Sequence, residues 1–341
     1  MSISWRTGAK DVVPVRFLIK GGKFMAKTIP QPNSMPRKRG FMYYFKRDFF
    51  FYALVALPLL YYVVYKYLPM LGIVLAFEDY KPFLGLEGVF RSKWVGLKHF
   101  RRFFNSVYFV RLVRNTFLIS FYDLLFGFPA SIILALLLNE VRSNKFKRTV
   151  QTISYLPHFL SSVIVCGMLR QLLSTDGGLI NGIITSLGGE SVYFLGSSQY
   201  YRTYYTASSV WQGVGWGSII YLAAMSGIDP GLYEAAEIDG ATTFKKMWFI
   251  TLPSLLPLIS VMLVMRVGSL LSVGYEKTLL LYSPLIYDVA DLISTYVYRE
   301  GLLSMEYSYS TAVGLFTSVI SLVLVLFSNW ASHRMGQEGV W

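Results

Sequence analysis

The segment from Glu234 to Pro253, EAAEIDGATTFKKMWFITLP, places small, charged and aromatic residues in a spacing that suits the docking of another protein. Paired alanines beside an acidic residue leave a flat surface that another backbone can approach closely. The alternative is a connecting loop that packs against its own helices, although such loops are usually shorter. The residues expected to form the docking surface are Glu234, Ala235, Ala236, Asp239, Gly240, Ala241, Phe244 and Met247.

The same region, residues 229–253, is the docking loop and predicts two short helices separated by a glycine turn. Asp229 is a favourable N-cap residue, and Pro230 is favoured in the first helical turn. Gly240 can end the first helix because glycine accepts the left-handed conformation found there. Thr242 or the next threonine can cap the second helix, and Pro253 would then restart the chain into a long apolar segment.

A second group of candidate residues is polar or aromatic but lies within or beside apolar segments. Asp123 and Arg266 would each cost roughly 2.5–3.5 kcal/mol at the centre of a bilayer, so both should face protein or water. Arg266 either lines a path for a polar solute or forms an ion pair with Asp123. Aromatic rings suit the apolar face of a sugar ring and an amide can bind its hydroxyls, but the same residues could serve helix packing. The candidate path residues are Trp211, Gln212, Trp216, Arg266, Ser269 and Tyr275.

Motifs of enzyme chemistry are absent from the sequence. It contains neither HExxH nor GxSxG, and it lacks the GxxxxGK[ST] loop that binds nucleotide phosphates. Its three histidines are scattered, and its one cysteine, Cys166, lies in an apolar run where it should pack as a small hydrophobic residue. We therefore predict no catalytic residue, no metal site and no cofactor bound by this chain.

The composition indicates the elements that must position these residues. Of 341 residues, 54% are hydrophobic and 15% are charged, against about 25% charged residues in an average soluble domain. The mean hydropathy is +0.46. These values predict an all-α polytopic membrane protein, and the net charge of +13 is assigned to membrane topology and not to nucleic-acid binding.

Three regions follow from the distribution of apolar runs. Residues 1–45 are expected to be a basic, mostly disordered tail, and residues 336–341 a C-terminal tail. Residues 46–335 are expected to form the transmembrane domain, with six helices of roughly 20 apolar residues each. The predicted spans are residues 49–77, 116–138, 150–173, 204–225, 252–273 and 309–330.

The distribution of lysine and arginine predicts the orientation. Eighteen of these residues lie in segments on one side of the predicted spans. On the other side, six lie between Lys81 and Arg102, followed by Arg202, Lys277 and Arg299. The richer side is cytoplasmic by the positive-inside rule, which places both termini and the docking loop in the cytoplasm. A basic cluster on the opposite side could attract an acidic sugar polymer, or it could form an amphipathic segment at the membrane surface. Its members are Arg91, Lys93, Lys98, Arg101 and Arg102.

The docking loop resembles the signature loop of permeases from ATP-binding cassette (ABC) importers. Its EAA, glycine and I-x-LP positions are matched by Glu234-Ala235-Ala236, Gly240 and Ile250-x-Leu252-Pro253. The DGA sequence at 239–241 is similar to the carbohydrate-uptake branch. Further stretches resemble its polysaccharide and lipoprotein-type permeases over residues 45–335. They are YLPMLGIVLAFEDYKPF from Tyr67, NTFLIS from Asn115, FGFPASIILALLLNE from Phe126, ISYLPHFLSSV from Ile153 and ADLISTYVYREGL from Ala290.

This resemblance implies a type I ABC importer permease fold with a cytoplasmic coupling-helix loop, similar to the maltose-type subunits, in a bacterial inner membrane. It implies a non-enzymatic subunit that forms the path for an oligosaccharide or polysaccharide, including acidic ones such as alginate. The implied partners are a second homologous permease in a heterodimer, a cytoplasmic ATPase dimer that uses ATP and Mg²⁺, and an external solute-binding protein. An ion-coupled secondary sugar transporter is the alternative, but that class usually shows acidic residues in its spans and internal repeats. A membrane-embedded enzyme is a third class, which the missing motifs disfavour.

Overall fold

The computed structural model describes residues 15–20, 23–28, 42, 45, 47–271, 274–337, 339 and 340, and this part of the chain is mainly helical. It divides into two compact units, Met1–Met70 and Leu71–Trp341. In the first unit, the strands Val15–Lys20 and Lys23–Thr28 pair antiparallel, and the helix Phe49–Tyr62 follows. The rest of the predicted tail lies outside the described residues, so its disorder stays a prediction.

Four helices of the described chain are long and apolar enough to cross a membrane. They are Phe49–Phe77, Phe109–Glu140, Thr243–Gly268 and Tyr307–Arg334. A bent pair of helices provides a fifth candidate. The helix Ser198–Met225 has 28 residues, but serine, glycine and tyrosine make it more polar than these four. The all-α fold class is confirmed, whereas the count of six spans stays a prediction.

The third predicted span is not one straight helix. It consists of the helices Asn144–Phe159 and Ser162–Leu173, which meet at an angle of 101°. Pro157 has no backbone N–H to continue the helical ladder, and the chain narrows to a 3₁₀ turn there. Ser161 then begins the second helix, since its side chain accepts a hydrogen bond from the backbone N–H of Ile164.

Wide π-helical turns accommodate prolines inside the other long helices. Three such turns are Val63–Tyr67, Asp123–Gly127 and Met247–Thr251. Each ends two residues before a proline, namely Pro69, Pro129 or Pro253. A proline in a regular α-helix loses a hydrogen bond and clashes with the carbonyl four residues earlier. The wider turn moves that carbonyl away, so these helices continue through their prolines.

The structure corrects the predicted second helix of the docking loop. Pro253 does not restart the chain, because the helix Thr243–Gly268 runs through it without a break. The π turn before this proline supplies the physical reason. The second docking helix is therefore the first part of the fifth predicted span, and this helix ends at Gly268, before the predicted limit of 273.

Short elements complete the second unit. The strands Glu78–Asp79 and Lys93–Trp94 pair antiparallel. Its short α-helices are Gly85–Arg91, Lys98–Phe104, Leu179–Ser186, Pro230–Ile238, Tyr275–Leu281, Tyr287–Ala290 and Ile293–Tyr298. Asp291 is fully buried and accepts hydrogen bonds from Arg299 and Thr295. Because Arg111 pairs with the same carboxylate at 3.4 Å, this contact fastens the short helices to the helix Phe109–Glu140.

Candidate functional sites

The docking loop begins with the helix Pro230–Ile238, which has the caps predicted from its sequence. The Asp229 side chain accepts a hydrogen bond of 2.9 Å from the backbone N–H of Gly231. At the other end, Gly240 has a φ of +74°, and its N–H donates to the Glu237 carbonyl at 3.0 Å. The next N–H, of Ala241, donates to the Ala236 carbonyl. These two bonds form a Schellman motif, which only a residue tolerant of positive φ allows at low cost.

Two side-chain contacts tie this short helix to the long helix that follows. The Tyr233 hydroxyl lies 2.9 Å from the Thr251 hydroxyl, and Thr251 is fully buried. Lys246 forms an ion pair of 2.5 Å with Glu237. Thr242 caps the long helix by accepting a hydrogen bond from the N–H of Lys245. The helix Pro230–Ile238 is therefore held in a fixed orientation against the start of the helix Thr243–Gly268.

Most of the predicted docking residues are exposed in this chain. Exposed residues are Glu234, Ala235, Asp239, Gly240 and Phe244, while Ala236, Ala241 and Met247 are half-buried. Two apolar residues that the sequence analysis did not assign to the surface are even more accessible: Ile238 is 88% exposed and Phe249 is 72% exposed. Large exposed apolar side chains in a loop outside the predicted spans are candidate contacts for a partner protein. Their apolar character within a charged loop was the signal available in the sequence.

A polar cavity of about 640 Å³ lies among the long helices of the second unit. Four of the six predicted path residues line it, namely Gln212, Arg266, Ser269 and Tyr275. Asp123 also lines the cavity and forms an ion pair with Arg266. The two alternatives for Arg266 therefore coincide, because the pair itself is part of the cavity wall.

The break in the third predicted span contributes to the same cavity. The carbonyl of Leu160 lies at the break and accepts a hydrogen bond of 3.0 Å from the Gln212 amide. Buried backbone carbonyls need such partners when the helical ladder stops. Gln212 therefore stabilises the bend as well as lining the cavity.

Neither of the two predicted tryptophans lines this cavity. Trp211 does not line the cavity; it borders an apolar groove with Val165 and Met168. Successive residues on a helix point about 100° apart, since a turn takes 3.6 residues, so Trp211 and Gln212 cannot share a face. Trp216 lines an adjoining cavity of about 540 Å³, and its ring stacks on His158 at 4.6 Å between centroids. This stack packs His158 against Trp216 between the two cavities, both of which His158 lines.

Lys277 is a cavity residue that the sequence analysis missed. It lies in the helix Tyr275–Leu281 and is only 8% exposed. Its Nζ donates a hydrogen bond of 2.9 Å to the Ser209 hydroxyl and lies 5.1 Å from the centre of the Tyr205 ring. A lysine in a predicted outer loop gives no sequence signal that would distinguish it from a solvated one. In the described part of the chain, no group of three or more His, Cys, Asp or Glu residues could hold a metal ion.

The comparisons with known proteins cover most of the chain. Residues 127–337 match the family described as binding-protein-dependent transport system inner membrane component. Protein LplB of Bacillus subtilis (strain 168) is 43% identical over 319 residues, which cover 92% of this chain and 99% of that protein. A polygalacturonan/rhamnogalacturonan transport system permease protein, YteP, of the same organism is 45% identical over 292 residues, covering 86% of this chain and 90% of the relative.

A solved structure shares the fold. It is the crystal structure of a bacterial alginate ABC transporter in complex with an alginate pentasaccharide-bound periplasmic protein. One of its chains superposes with a TM-score of 0.80 and is 42% identical, covering 88% of this chain and 99% of that chain.

Proposed function

Because the chain belongs to the family of binding-protein-dependent transport system inner membrane components, we propose that it forms the translocation path for an acidic oligosaccharide or polysaccharide. The membership and the solved structure confirm the expected type I ABC permease fold and a role as a permease of sugar import. The acidic character of the substrate, the residues of the path and the arrangement of the complex belong to the proposal.

The names of the relatives support an acidic substrate. One relative is named for polygalacturonan and rhamnogalacturonan, and a second solved structure of similar fold is described as an importer of the acidic polysaccharide alginate. Polygalacturonan and alginate are built from uronic acids, whose sugar units each carry a carboxylate. A transport path for such a polymer must accept hydroxyls and negative charge together.

The polar cavity is the observation that carries the proposal. Its wall combines the Gln212 amide, the Ser269 hydroxyl and the Arg266 guanidinium. Amides and hydroxyls bind sugar hydroxyls, and a guanidinium binds carboxylates through paired hydrogen bonds. A cavity of this size falls within the range of about 300–1,000 Å³ that is usual for small-ligand sites.

The docking loop supplies the site for the energy source. Its fixed orientation and its exposed apolar residues suit the cleft of a cytoplasmic ATPase subunit, with Glu234 facing a basic partner residue. This ATPase, and not the present chain, would bind ATP and Mg²⁺. The proposed complex contains two ATPase subunits, a second permease that pairs with this chain, and a solute-binding protein on the opposite side of the inner membrane. Both termini and the docking loop are then cytoplasmic.

Reconstitution of the complete complex in proteoliposomes tests this function. The vesicles contain ATP, the cognate binding protein is outside, and uptake of radiolabelled trigalacturonate is measured. We expect uptake to stop when the ATPase subunit is replaced by a hydrolysis-deficient variant and to continue when ionophores collapse the ion gradients. Uptake that survives the inactive ATPase but stops with the ionophores would refute the proposal and favour a secondary transporter.

A further inference from the structure

Lys277 is a buried cation without a carboxylate partner in the described part of the chain. Its only polar side-chain contact there is the Ser209 hydroxyl at 2.9 Å. Placing an ammonium group in a protein interior is costly unless an opposite charge compensates it. Burial accordingly lowers the pKa of Lys277 to about 8, in a helix that lies between the fifth and sixth predicted spans. In the described part of the chain, Lys277 therefore holds a buried positive charge beside the polar cavity with no ion-pair partner; Asp123 and Cys166 act on it only at longer range.

The other charges of the cavity are already engaged or accessible to water. Arg266 pairs with Asp123, so a carboxylate of this chain already partners it, and a substrate carboxylate can reach only its remaining N–H groups. Glu276 is exposed at the cavity wall, and its carboxylate accepts a hydrogen bond of 3.4 Å from Ser162. Of the charged groups that line the cavity, Lys277 is thus the one that combines burial with the lack of an ion pair.

The basic cluster predicted on the outer side is a weaker candidate for recognising an acidic sugar than Lys277 is. Three of its five members form ion pairs: Arg91 with Glu87, Lys98 with Asp79, and Arg102 with Glu306. Arg102 also lies over the Tyr309 ring. Charges that are paired and exposed attract a distant anion weakly, because both the partner and the solvent screen them. Discrimination of an anionic substrate should therefore depend on the cavity.

We propose that the Nζ of Lys277 binds the carboxylate of a uronic acid unit inside the cavity and so determines the preference for acidic over neutral saccharides. This inference rests on the proposed function, since it assigns one residue to the substrate class named there. The bound carboxylate supplies the missing counter-charge. A neutral sugar of the same size leaves the buried ammonium without an ion-pair partner and is bound less well.

Neighbouring side chains complete the recognition. Ser209 holds the Lys277 ammonium in place, and the Tyr205 ring limits its movement on the other side. Gln212, Ser269 and Tyr275 line the same cavity and can bind the hydroxyls of the sugar. An ammonium held by a hydroxyl and an aromatic ring keeps donors free for a ligand, because it carries three N–H groups.

The alternative for Lys277 is a purely structural link between its helix and the helix Ser198–Met225. That link would run through Ser209, so Ser209→Ala would disturb the structure as Lys277→Gln does. The two roles differ in their dependence on substrate charge. A structural link affects every substrate equally, whereas a carboxylate-binding ammonium affects only acidic ones.

The test uses the complete complex in proteoliposomes with two probes of matched shape, trigalacturonate and its methyl ester. The variants are Lys277→Gln, Lys277→Arg and Ser209→Ala. Lys81→Gln is the control, because Lys81 is an exposed basic residue outside the cavity lining and outside the basic cluster. A second measurement omits the binding protein, whose own selectivity would otherwise contribute. It determines the affinity of radiolabelled trigalacturonate for the purified, vanadate-trapped complex by equilibrium dialysis.

We expect Lys277→Gln to lower trigalacturonate affinity and uptake at least about tenfold, the effect of losing one charge-assisted hydrogen bond. Affinity for the methyl ester should change less than about threefold, and Lys277→Arg should retain most of the preference. Equal losses for both probes in Lys277→Gln and Ser209→Ala would overturn the inference in favour of the structural link. Unchanged binding in Lys277→Gln would overturn it as well.

Failure of the proposed function would look different. One outcome is that the wild-type complex imports a neutral saccharide with ATP but not trigalacturonate. That result would refute both the acidic substrate class and the role of Lys277, but it would leave the importer function intact. If no saccharide is taken up with ATP, the proposed function itself is refuted.

Discussion

The ion pair between Asp123 and Arg266 should behave as an energetically coupled unit. It joins the helices Phe109–Glu140 and Thr243–Gly268 at the wall of the polar cavity. The perturbation is a double-mutant cycle with Asp123→Asn, Arg266→Gln and the double variant. Each single change leaves the other charge without its partner, whereas the double variant leaves none.

The exposure of the two side chains sets the expected magnitude. The Arg266 side chain is 48% exposed and that of Asp123 is 28% exposed. Exposed ion pairs contribute about 0.2–1 kcal/mol, and breaking a fully buried pair costs about 3–5 kcal/mol. We therefore expect each single variant to lose about 1–2 kcal/mol of unfolding free energy, and the double variant to lose about 1 kcal/mol less than the sum.

Titration of the purified permease with SDS in mixed micelles measures the unfolding free energies. Uptake of trigalacturonate by the reconstituted complex is recorded for the same four proteins. Single variants that assemble but transport poorly would assign the pair to the substrate path, and variants that fail to assemble would assign it to structure.

If the free-energy changes of the two single variants add up to that of the double variant, the reasoning is refuted. Independent sites add within about 0.3–0.5 kcal/mol. A coupling energy below that limit would show that the contact between the two side chains contributes nothing specific. The wall of the cavity would then be held by other contacts, such as the Gln212 hydrogen bond.

Three further predictions concern the docking loop and the cavity lysine. Glu234→Lys reverses the charge offered to the ATPase and should lower the amount of ATPase recovered in a pull-down at least about tenfold. The control Glu300→Lys changes an acid outside the loop and should not lower this amount. Equal recovery of the ATPase by both variants would refute the docking role. In Gly240→Ala the added Cβ meets no atom within 4 Å, but alanine at a φ of +74° should raise the free energy of the turn by about 1–2 kcal/mol. We expect this variant to lower the ATPase activity that the loaded binding protein stimulates. Unchanged stimulation would argue against a fixed turn. The pKa of Lys277 is lowered to about 8, so its ammonium is present at pH 7 and is lost above pH 8. Uptake of trigalacturonate by the wild type should therefore fall between about pH 7 and 9. Lys277→Arg, which keeps its charge, should not show this fall. Cys166→Ser should keep this fall, and its disappearance there would assign the titration to the thiol. The groups that face Lys277 are Asp123, Cys166, Tyr205 and Glu276.

The parts of the docking loop that the sequence predicted correctly depend on local interactions. Asp229, Gly240 and Thr242 act through hydrogen bonds or backbone angles within a few residues of themselves. Such effects are nearly independent of the rest of the fold. The same local reasoning failed at Pro253, because a proline can end a helix or follow a widened turn, and the choice depends on what the surrounding helices allow.

The cavity could be predicted only in part, because its residues come from distant parts of the sequence. Asp123 and Arg266 were recognisable since charges in apolar segments are costly and need partners. Lys277 gave no such signal, because its burial results from the packing of the helix Tyr275–Leu281 against other helices. The bend at Leu160 likewise depends on Gln212, 52 residues later in the chain.

The rigid attachment of the docking helix has a mechanical consequence. Tyr233 and Glu237 join that helix to Thr251 and Lys246, so a separate rotation of the docking helix would break both contacts. Arg266 lies 15 residues beyond Thr251 on the same helix, a distance of roughly 22 Å at 1.5 Å per residue. If an ATPase docks on this loop as proposed, movement of the docking helix would be passed along one continuous helix, which contains Pro257, to the charged wall of the cavity.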